Sequence, residues 1–444
     1  MKKNNKKSNA KQPNIQVTFS ASELTQFSGL LPLHTLITKL NLPSLLNSAI
    51  QLDVAKNMHF KTSQILLTTL LGILSGQNRI DKIEQFSQDP LVRQLMNLDR
   101  VLDADTINYR FRKFNFQTCE QFSQLIGGLS KKIHSTLQTE SDILDLDSSV
   151  RTVYGRQEGA AKGFNPTKKG AFSYHPLLAF LNSTKECLNA WLRPGNSYTA
   201  NNAPNFLRDC LRRLNSHLKR LLVRMDSGFF DNAVLEVLEQ WENKDLELTY
   251  IIKAKLTPCL QRCLESQSWQ AVEGQPQFES SAFSYRADGW EKMRSFVAVR
   301  RKKEEIQDTL FPYTTYDYFC YVTNRSESAF CTHKVYGNRG ESENWIEAVK
   351  NQMFGGSFLV DSFWANEAFF LCSVLAYNLS IWFRLLTDEK TWHEEPATFR
   401  NWFIVLAGKM VRTGRTLVLK VYKWYYERDN WLRLYERMKG FQFG

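Results

Sequence analysis

The chain has 444 residues, 43% of them hydrophobic, with 30 Phe, 16 Tyr and 11 Trp; this excludes general disorder and implies roughly two to four domains. The formal net charge of +12 points toward a polyanionic partner, most simply nucleic acid. Of eight cysteines only Cys259 and Cys263 lie close together, with no second pair or histidines to complete a zinc set, so reduced thiols in a cytosolic protein are expected.

Residues 1–18 are rich in Lys, Asn, Gln and Ser and read as a flexible basic arm able to touch DNA phosphates, or simply a frayed tail. No apolar run follows the first charges, which excludes a signal peptide. Residues 19–138 read as a helical DNA-binding domain. Its most apolar helix, around 62–74 (TSQILLTTLLGIL), is too short to span a bilayer, and no membrane role is expected. Further along, Asp103 or Asp105 can cap a helix with an Ile107, Phe111, Phe114 stripe. Tyr109, Arg110, Arg112 and Lys113 fall on its other faces, as in a helix that enters a DNA groove, or in any short basic helix.

At 142–150 (DILDLDSSV) the period changes to two. Asp145 and Asp147 share one strand face and Leu144 and Leu146 the other. Two acids on one face of an apolar strand are costly unless a cation or a basic partner meets them. Asp147 is nearer the carboxyl end of the strand, where open α/β sheets place ligand groups. A Gly-rich basic loop follows, Tyr154–Gly170, without the Lys-Ser/Thr ending of a phosphate-cradling Walker loop. Arg156, Lys162, Lys168 and Lys169 are candidates to lie along a phosphate backbone. Strands near 176–182 and 188–193 make a hairpin around Asn182–Lys185, and a helix follows at about 203–218. A strand at Leu221–Met225 ends in Asp226-Ser227-Gly228-Phe229, an acid and a glycine directly after a buried strand, which is typical of a site-forming junction. A helix at 231–242 and a strand at 248–254 complete a first core segment, 139–254.

Residues 255–335 are β-rich and aromatic and read as an insertion domain, with Trp269, Trp290, Arg300, Arg301 and Lys302 as possible DNA-facing groups. Next comes Tyr336–Lys350 (YGNRGESENWIEAVK). Tyr336, Arg339, Glu343 and Lys350 stand at offsets that one regular helix brings within about 60° of each other. Ile346, Val349 and Met353 form the adjoining apolar stripe. A second core segment is expected over 336–385. Residues 386–444 read as a basic helical C-terminal region, with nine Lys/Arg against three acids in 401–444.

Asp147, Asp226 and Glu343, together with Tyr336, Arg339 and Lys350, resemble the DDE transposases of bacterial insertion sequences. The resemblance is to the branch with a β-strand insertion before the third acid and the motif Tyr-x2-Arg-x3-Glu-x6-Lys, which residues 336–350 fit without a gap. Asp147-Ser148-Ser149 resembles the first acid motif, Val223–Phe229 the second, and Ala376-Tyr377-Asn378-Leu379 the helix that follows the third acid.

The resemblance implies an α/β fold: a ribonuclease-H-like mixed five-stranded sheet flanked by helices, interrupted by the β-rich insertion, with helical N- and C-terminal regions. It also implies binding of terminal inverted repeats and target DNA, and cut-and-paste transposition, with hairpin ends expected for this branch. The partners implied are double-stranded DNA and a second copy of the chain when two ends are synapsed, with no small-molecule substrate, in the bacterial cytoplasm at the nucleoid. Two Mg²⁺ ions, replaceable by Mn²⁺, suit three carboxylates: Asp147 shared between them, Asp226 and Glu343 completing one site each. Arg339 and Lys350 then bind phosphates beside the break, with Tyr336 against the same backbone. Asp145 and Glu347 are the ambiguous acids. Competing readings are an inactive or repurposed DNA-binding protein with the same fold, and a nuclease without strand transfer.

Overall fold

The computed structural model describes residues 15–55, 57–241, 245–306, 313–353, 360–387 and 395–443. Most of the basic arm, residues 1–14, lies outside them. Strands are numbered in chain order from β1 (Leu24–Thr25).

The period-two pattern at 142–150 becomes β2 (Ser141–Ser148), the hub of a nine-stranded sheet. The basic loop that follows contributes β3 (Arg151–Thr152), β4 (Ala161–Lys162) and β5 (Phe172–Tyr174), a separate small sheet in the order β3-β5-β4. β6 (Leu177–Leu181) and β7 (Cys187–Trp191) form the expected hairpin, with Lys185 at φ 62° in its turn. β6 pairs antiparallel with β2, and β7 with β6. On the other side of β2, β8 (Arg220–Met225) and then β9 (Glu247–Lys253) join in parallel. The connections from β7 to β8 and from β8 to β9 carry the helices Ala203–Arg213 and Asn232–Glu239.

The segment expected as a separate insertion supplies β10 (Gln270–Val272), β11 (Gln275–Tyr285), β12 (Arg294–Ile306) and β13 (Tyr313–Thr323). They continue the core sheet, because β13 pairs with β9 through Tyr321, Val322 and Thr323. The full order is β10-β11-β12-β13-β9-β8-β2-β6-β7. The result is a mixed sheet flanked by helices with a strand-rich extension. Trp269 and Trp290 face Arg300 and Arg294 at 4.6 Å each, so both are engaged in cation–π packing within this extension.

Three apolar clusters cover the sheet, the smallest of them joining Leu222, Ile251, Val297, Val299 and Tyr321 to Ala329. Leu144 and Leu146 join the helices Ala203–Arg213 and Asn232–Glu239 on one face. On the other face Leu178 and Phe180 pack toward the N-terminal helices and the long helix Phe363–Thr387. That helix is long and apolar enough to cross a membrane by length and composition. However, 89% of its most apolar window is buried inside the protein, as befits a core helix. Its Tyr377 and Asn378 explain the Ala-Tyr-Asn-Leu motif physically. The Tyr377 hydroxyl donates to the Lys185 carbonyl at 2.7 Å, and the Asn378 amide accepts from Cys187 N and donates to Cys187 O at 2.9 and 2.8 Å. Both lock the β6–β7 hairpin.

The N-terminal region is helical from Leu30 to Leu137. Asp103 is the cap of Ala104–Phe111, accepting from Thr106 N at 2.7 Å. Arg110 does not face solvent. It is buried and donates to Thr62 Oγ1 and Phe60 O, which removes it from the possible groove-reading surface.

The C-terminal region is not helical throughout. β14 (Gly408–Thr413) and β15 (Thr416–Val421) form a hairpin turning at Gly414, φ 59°, and β14 also pairs with β1. Alternation in Lys-Met-Val-Arg-Thr and Thr-Leu-Val-Leu-Lys-Val favours strand over helix once a glycine supplies the left-handed turn. Among the described residues from 395 on, Arg428–Gly440 forms the long helix.

Candidate active site

β2 and β8 run in parallel with Leu146 opposite Met225. The next residue on each, Asp147 and Asp226, therefore emerges side by side where the two strands end, with strands about 4.8 Å apart. Asp226 caps the short turn Ser227–Phe229 by accepting from Gly228 N at 2.9 Å. A side chain at Gly228 would bring a Cβ within 2.9 Å of Thr199 Cβ, so glycine is required for this close approach. Thr199 Oγ1 in turn shares a 3.1 Å hydrogen bond with Ser148 Oγ.

Asp145 and Asp147 share a face, as their spacing predicts, but have different fates. Asp145 lies opposite Arg224 in the β2–β8 register and is fully buried against it. Its two oxygens accept from Nε and Nη2 of Arg224 at 2.7 and 2.6 Å. The remaining Nη1 donates to Val335 O at 2.7 Å, tying the strands to the helix Ala329–Gly337. Asp145 is thus occupied by a structural ion pair.

Asp147 meets Arg339, whose Nη2 is 2.9 Å from its Oδ2 and also donates to Leu146 O at 3.0 Å. Burial raises the Asp147 carboxyl to about 6; Arg339 opposes the rise and Asp226 adds to it. Arg339 is itself buried, which works against its charge, yet Asp147, Tyr336, Asp226 and Asp145 together hold its pKa above the usual value. Its Nε is buried without a hydrogen-bond partner among the described residues. Tyr336 stands in the same field. Burial pushes its phenol up to about 12; Arg339 pulls the other way, while Asp226 and Asp147 raise it further.

Lys350 reaches the same strand end from the other side, donating to Val150 O at 2.6 Å. Burial and the neighbouring Arg151 hold its pKa below the lysine range. Arg339 on Leu146 O and Lys350 on Val150 O therefore bracket the segment that carries Asp147.

Glu343 lies on the following helix, Glu341–Glu347. Both it and Glu347 are exposed, and no group of three or more His, Cys, Asp or Glu among the described residues is arranged to hold a metal ion. The reason is local. The helix Ala329–Gly337 gives way to a 3₁₀ turn at Asn338–Gly340, then to the helix Glu341–Glu347 and a π turn at Ala348–Gln352. Three residues at 3₁₀ pitch advance everything beyond them by about 60° relative to a regular helix. The apolar stripe survives the break, with Ile346, Val349 and Met353 buried.

Sequence reasoning missed His175, Arg193 and Thr199. Arg193 donates from Nε to His175 O at 2.9 Å and from Nη1 to the carbonyls of Tyr198, Thr199 and Asn201, shaping the loop that touches Ser148 and Gly228. His175 donates from Nδ1 to Ser197 O at 2.6 Å. Burial lowers its pKa, and Asp226 is near enough to oppose that. The only available signal was position, since His175 stands between β5 and the strand that pairs with β2.

The predicted phosphate-binding side chains of the basic loop, Arg156, Lys162, Lys168 and Lys169, are all exposed. Lys162 ends β4, and the other three lie in the loops between the small sheet's strands, as do the exposed rings of Tyr154 (82%) and Phe164 (73%). Lys168 lies 4.7 Å above the Tyr154 ring and donates to its hydroxyl at 2.7 Å. Flat rings and cations on one surface suit a nucleic-acid backbone.

Asp147 and Asp226 thus stand at adjacent strand ends beside basic groups, on the mixed sheet flanked by helices of an α/β protein. Residues 7–442 match the family model of the transposase DDE domain, group 1. The chain belongs to that family and so to the DDE transposases, which act on DNA. It is similar in structure to the piggyBac transposase, in a cryo-EM structure of its synaptic complex with hairpin DNA. Identity is 13% and the TM-score 0.45, over 86% of this chain and 81% of that one. No curated protein matches.

Proposed function

We propose that the chain is the transposase of a bacterial insertion sequence that binds terminal inverted repeats and carries out metal-dependent strand cleavage and strand transfer, through hairpin ends. The observation that carries this reading is the convergence of Asp147 and Asp226 at adjacent strand ends around the buried guanidinium of Arg339. The donors fit a divalent cation in kind: two hard carboxylates already gathered about one positive group. Bound Mg²⁺, or Mn²⁺ in its place, would activate an oxygen nucleophile and neutralise the phosphate.

Within that reading Asp147 and Asp226 hold the cations and Glu343 completes the set. Half-buried Tyr336 and buried His175 fix the shape of the wall beside Asp226. Arg339 and Lys350 supply positive charge next to the scissile phosphate. Arg156, Lys162, Lys168 and Lys169 track the backbone leading away.

The exposed position of Glu343 favours a second reading, a DNA-binding protein that has kept the fold without catalysis. Both are tested by incubating the protein with duplexes carrying the inverted repeats that flank its gene, plus Mg²⁺. Paired end cleavage with hairpins or joined products supports the transposase. Retention without cleavage supports the binding protein, and nicking alone a nuclease.

A further inference from the structure

We propose that Arg339 is the resident cation of the DNA-free site: its guanidinium takes the place beside Asp147 that a divalent ion would take, and a DNA phosphate is the ligand that draws it away. The inference rests on the functional reading above and deepens it. The charges give the first argument. Asp145 is balanced by Arg224 in a two-point pair, whereas Arg339 is the guanidinium that stands against Asp147 and Asp226. One guanidinium leaves these two half-buried carboxylates one positive charge short, whereas one divalent ion balances them. Guanidinium and divalent ion together would crowd three positive charges into one partly desolvated place, which is costly.

The second argument is hydrogen bonding. Arg339 Nη2 is satisfied by Leu146 O and Asp147, but the buried Nε has no partner among the described residues. A guanidinium with an idle donor is poised to exchange a single-point carboxylate contact for the two-point contact a phosphate offers. The third is the break beside it. Arg339 sits inside the 3₁₀ turn between Gly337 and Glu341, and the exposed Glu343 follows in the next helical turn. Withdrawal of Arg339 and relaxation of its turn to regular helical pitch would rotate Glu343 by about 60°. DNA binding, cation binding and placement of the third acid thereby become one coupled event, and by linkage each of the two ligands strengthens the other.

The test is Mn²⁺ binding to the full chain, followed by the electron paramagnetic resonance of the free ion. In the absence of DNA, Arg339→Gln, which removes the charge and keeps a shorter polar side chain, should bind Mn²⁺ about tenfold or more tighter than wild type, the size expected for removing a competing charge. Arg339→Lys keeps the charge and should stay close to wild type. On wild type itself, a short random-sequence duplex should tighten Mn²⁺ binding, an arm that holds even should Arg339→Gln fail to fold. The inference is overturned if Arg339→Gln binds no tighter than wild type, if Arg339→Lys binds as tightly as Arg339→Gln, or if the duplex changes nothing. Cleavage of the inverted repeats with Mn²⁺ affinity blind to Arg339 and DNA sinks this inference alone. Absent cleavage with the Mn²⁺ effects intact sinks the functional reading alone.

Discussion

Two residues two positions apart on one strand, Asp145 and Asp147, illustrate how neighbours decide the role of an acid. Asp145 has a guanidinium across the register, so removing its charge strands Arg224 in the interior. Asp145→Asn is expected to cost about 3–5 kcal/mol, as for other broken buried pairs, and to show as a lowered denaturation midpoint. Asp147 is held in its charged form against burial, and Asp147→Asn should leave that midpoint unchanged or higher while abolishing cleavage. A loss of stability in Asp147→Asn larger than in Asp145→Asn would reverse the two roles.

A second buried acid, Glu367, lies on the floor of a groove of about 820 Å³ and accepts a 2.7 Å hydrogen bond from Leu192 N. Burial raises its pKa to about 8 from 4.5. Between those values the unfolded chain holds fewer protons than the folded one at this site, so stability falls as pH rises through the window. Glu367→Gln should therefore be more stable than wild type at pH 8, by on the order of a few kcal/mol. The gain should largely vanish near pH 4.5. Equal effects at both pH values, read by denaturant titration, would show that the carboxyl is not forced to ionise in a buried place.

At the scale of elements, legibility tracked the distance over which the determining contact acts. β2, β8 and their terminal aspartates were readable because strand alternation and a following Asp-Ser-Gly turn are local signals. The Arg224 partner of Asp145 was not, since it sits on another strand whose register no local pattern reveals. The stretch Tyr336–Lys350 was readable as helix with the right buried stripe, yet the angular placement of Glu343 was not. Gly337, Asn338 and Gly340 let the chain tighten into a 3₁₀ turn that periodicity at 100° per residue ignores. Gly340 has helical φ and open space around a would-be Cβ, so Gly340→Ala should stabilise by about 0.5–1 kcal/mol. A destabilisation measured by thermal melting would mean that the turn needs glycine for another reason. The C-terminal hairpin was missed because basic charge and aromatic content outweighed a clear period-two pattern around Gly414.

The joint between the N-terminal helices and the sheet has its own pH dependence. Glu186 accepts from Ser130, from Trp382 and from His134 Nε2, the last at 3.0 Å, all buried. His134 has to overcome burial, but the charge of Glu186 raises its pKa, and that stabilisation is complete below about 6.5 and fades as pH climbs through the folded value. Glu186 likewise works against burial, with His134 as the main aid lowering its pKa, so its share is present above 4.5 and fades in acid. The melting temperature should therefore be highest between these limits, and His134→Gln should flatten the alkaline side. An unchanged alkaline slope in that variant would remove His134 from the explanation.

For the molecule as a whole, the nine-stranded sheet makes the strand-rich extension and the core one continuous platform. A charge of +12 with exposed Arg156, Lys162, Lys168 and Lys169 predicts DNA affinity that falls steeply with salt. Each of these basic groups on a phosphate should contribute about 0.9 to the slope of log K against log salt. Replacing Lys162, Lys168 and Lys169 together by Ala should lower the slope by about 3; an unchanged slope would place the phosphate path elsewhere.

The central claim is that Asp147 and Asp226 form the cleavage centre. Its most direct measurement is single-turnover cleavage of a labelled inverted-repeat duplex with Mg²⁺, comparing wild type with Asp147→Asn and Asp226→Asn under conditions where all three bind the duplex equally. The expected result is cleavage at the repeat end by wild type and none by either variant. Cleavage retained by either variant, or wild-type binding without cleavage, would contradict it.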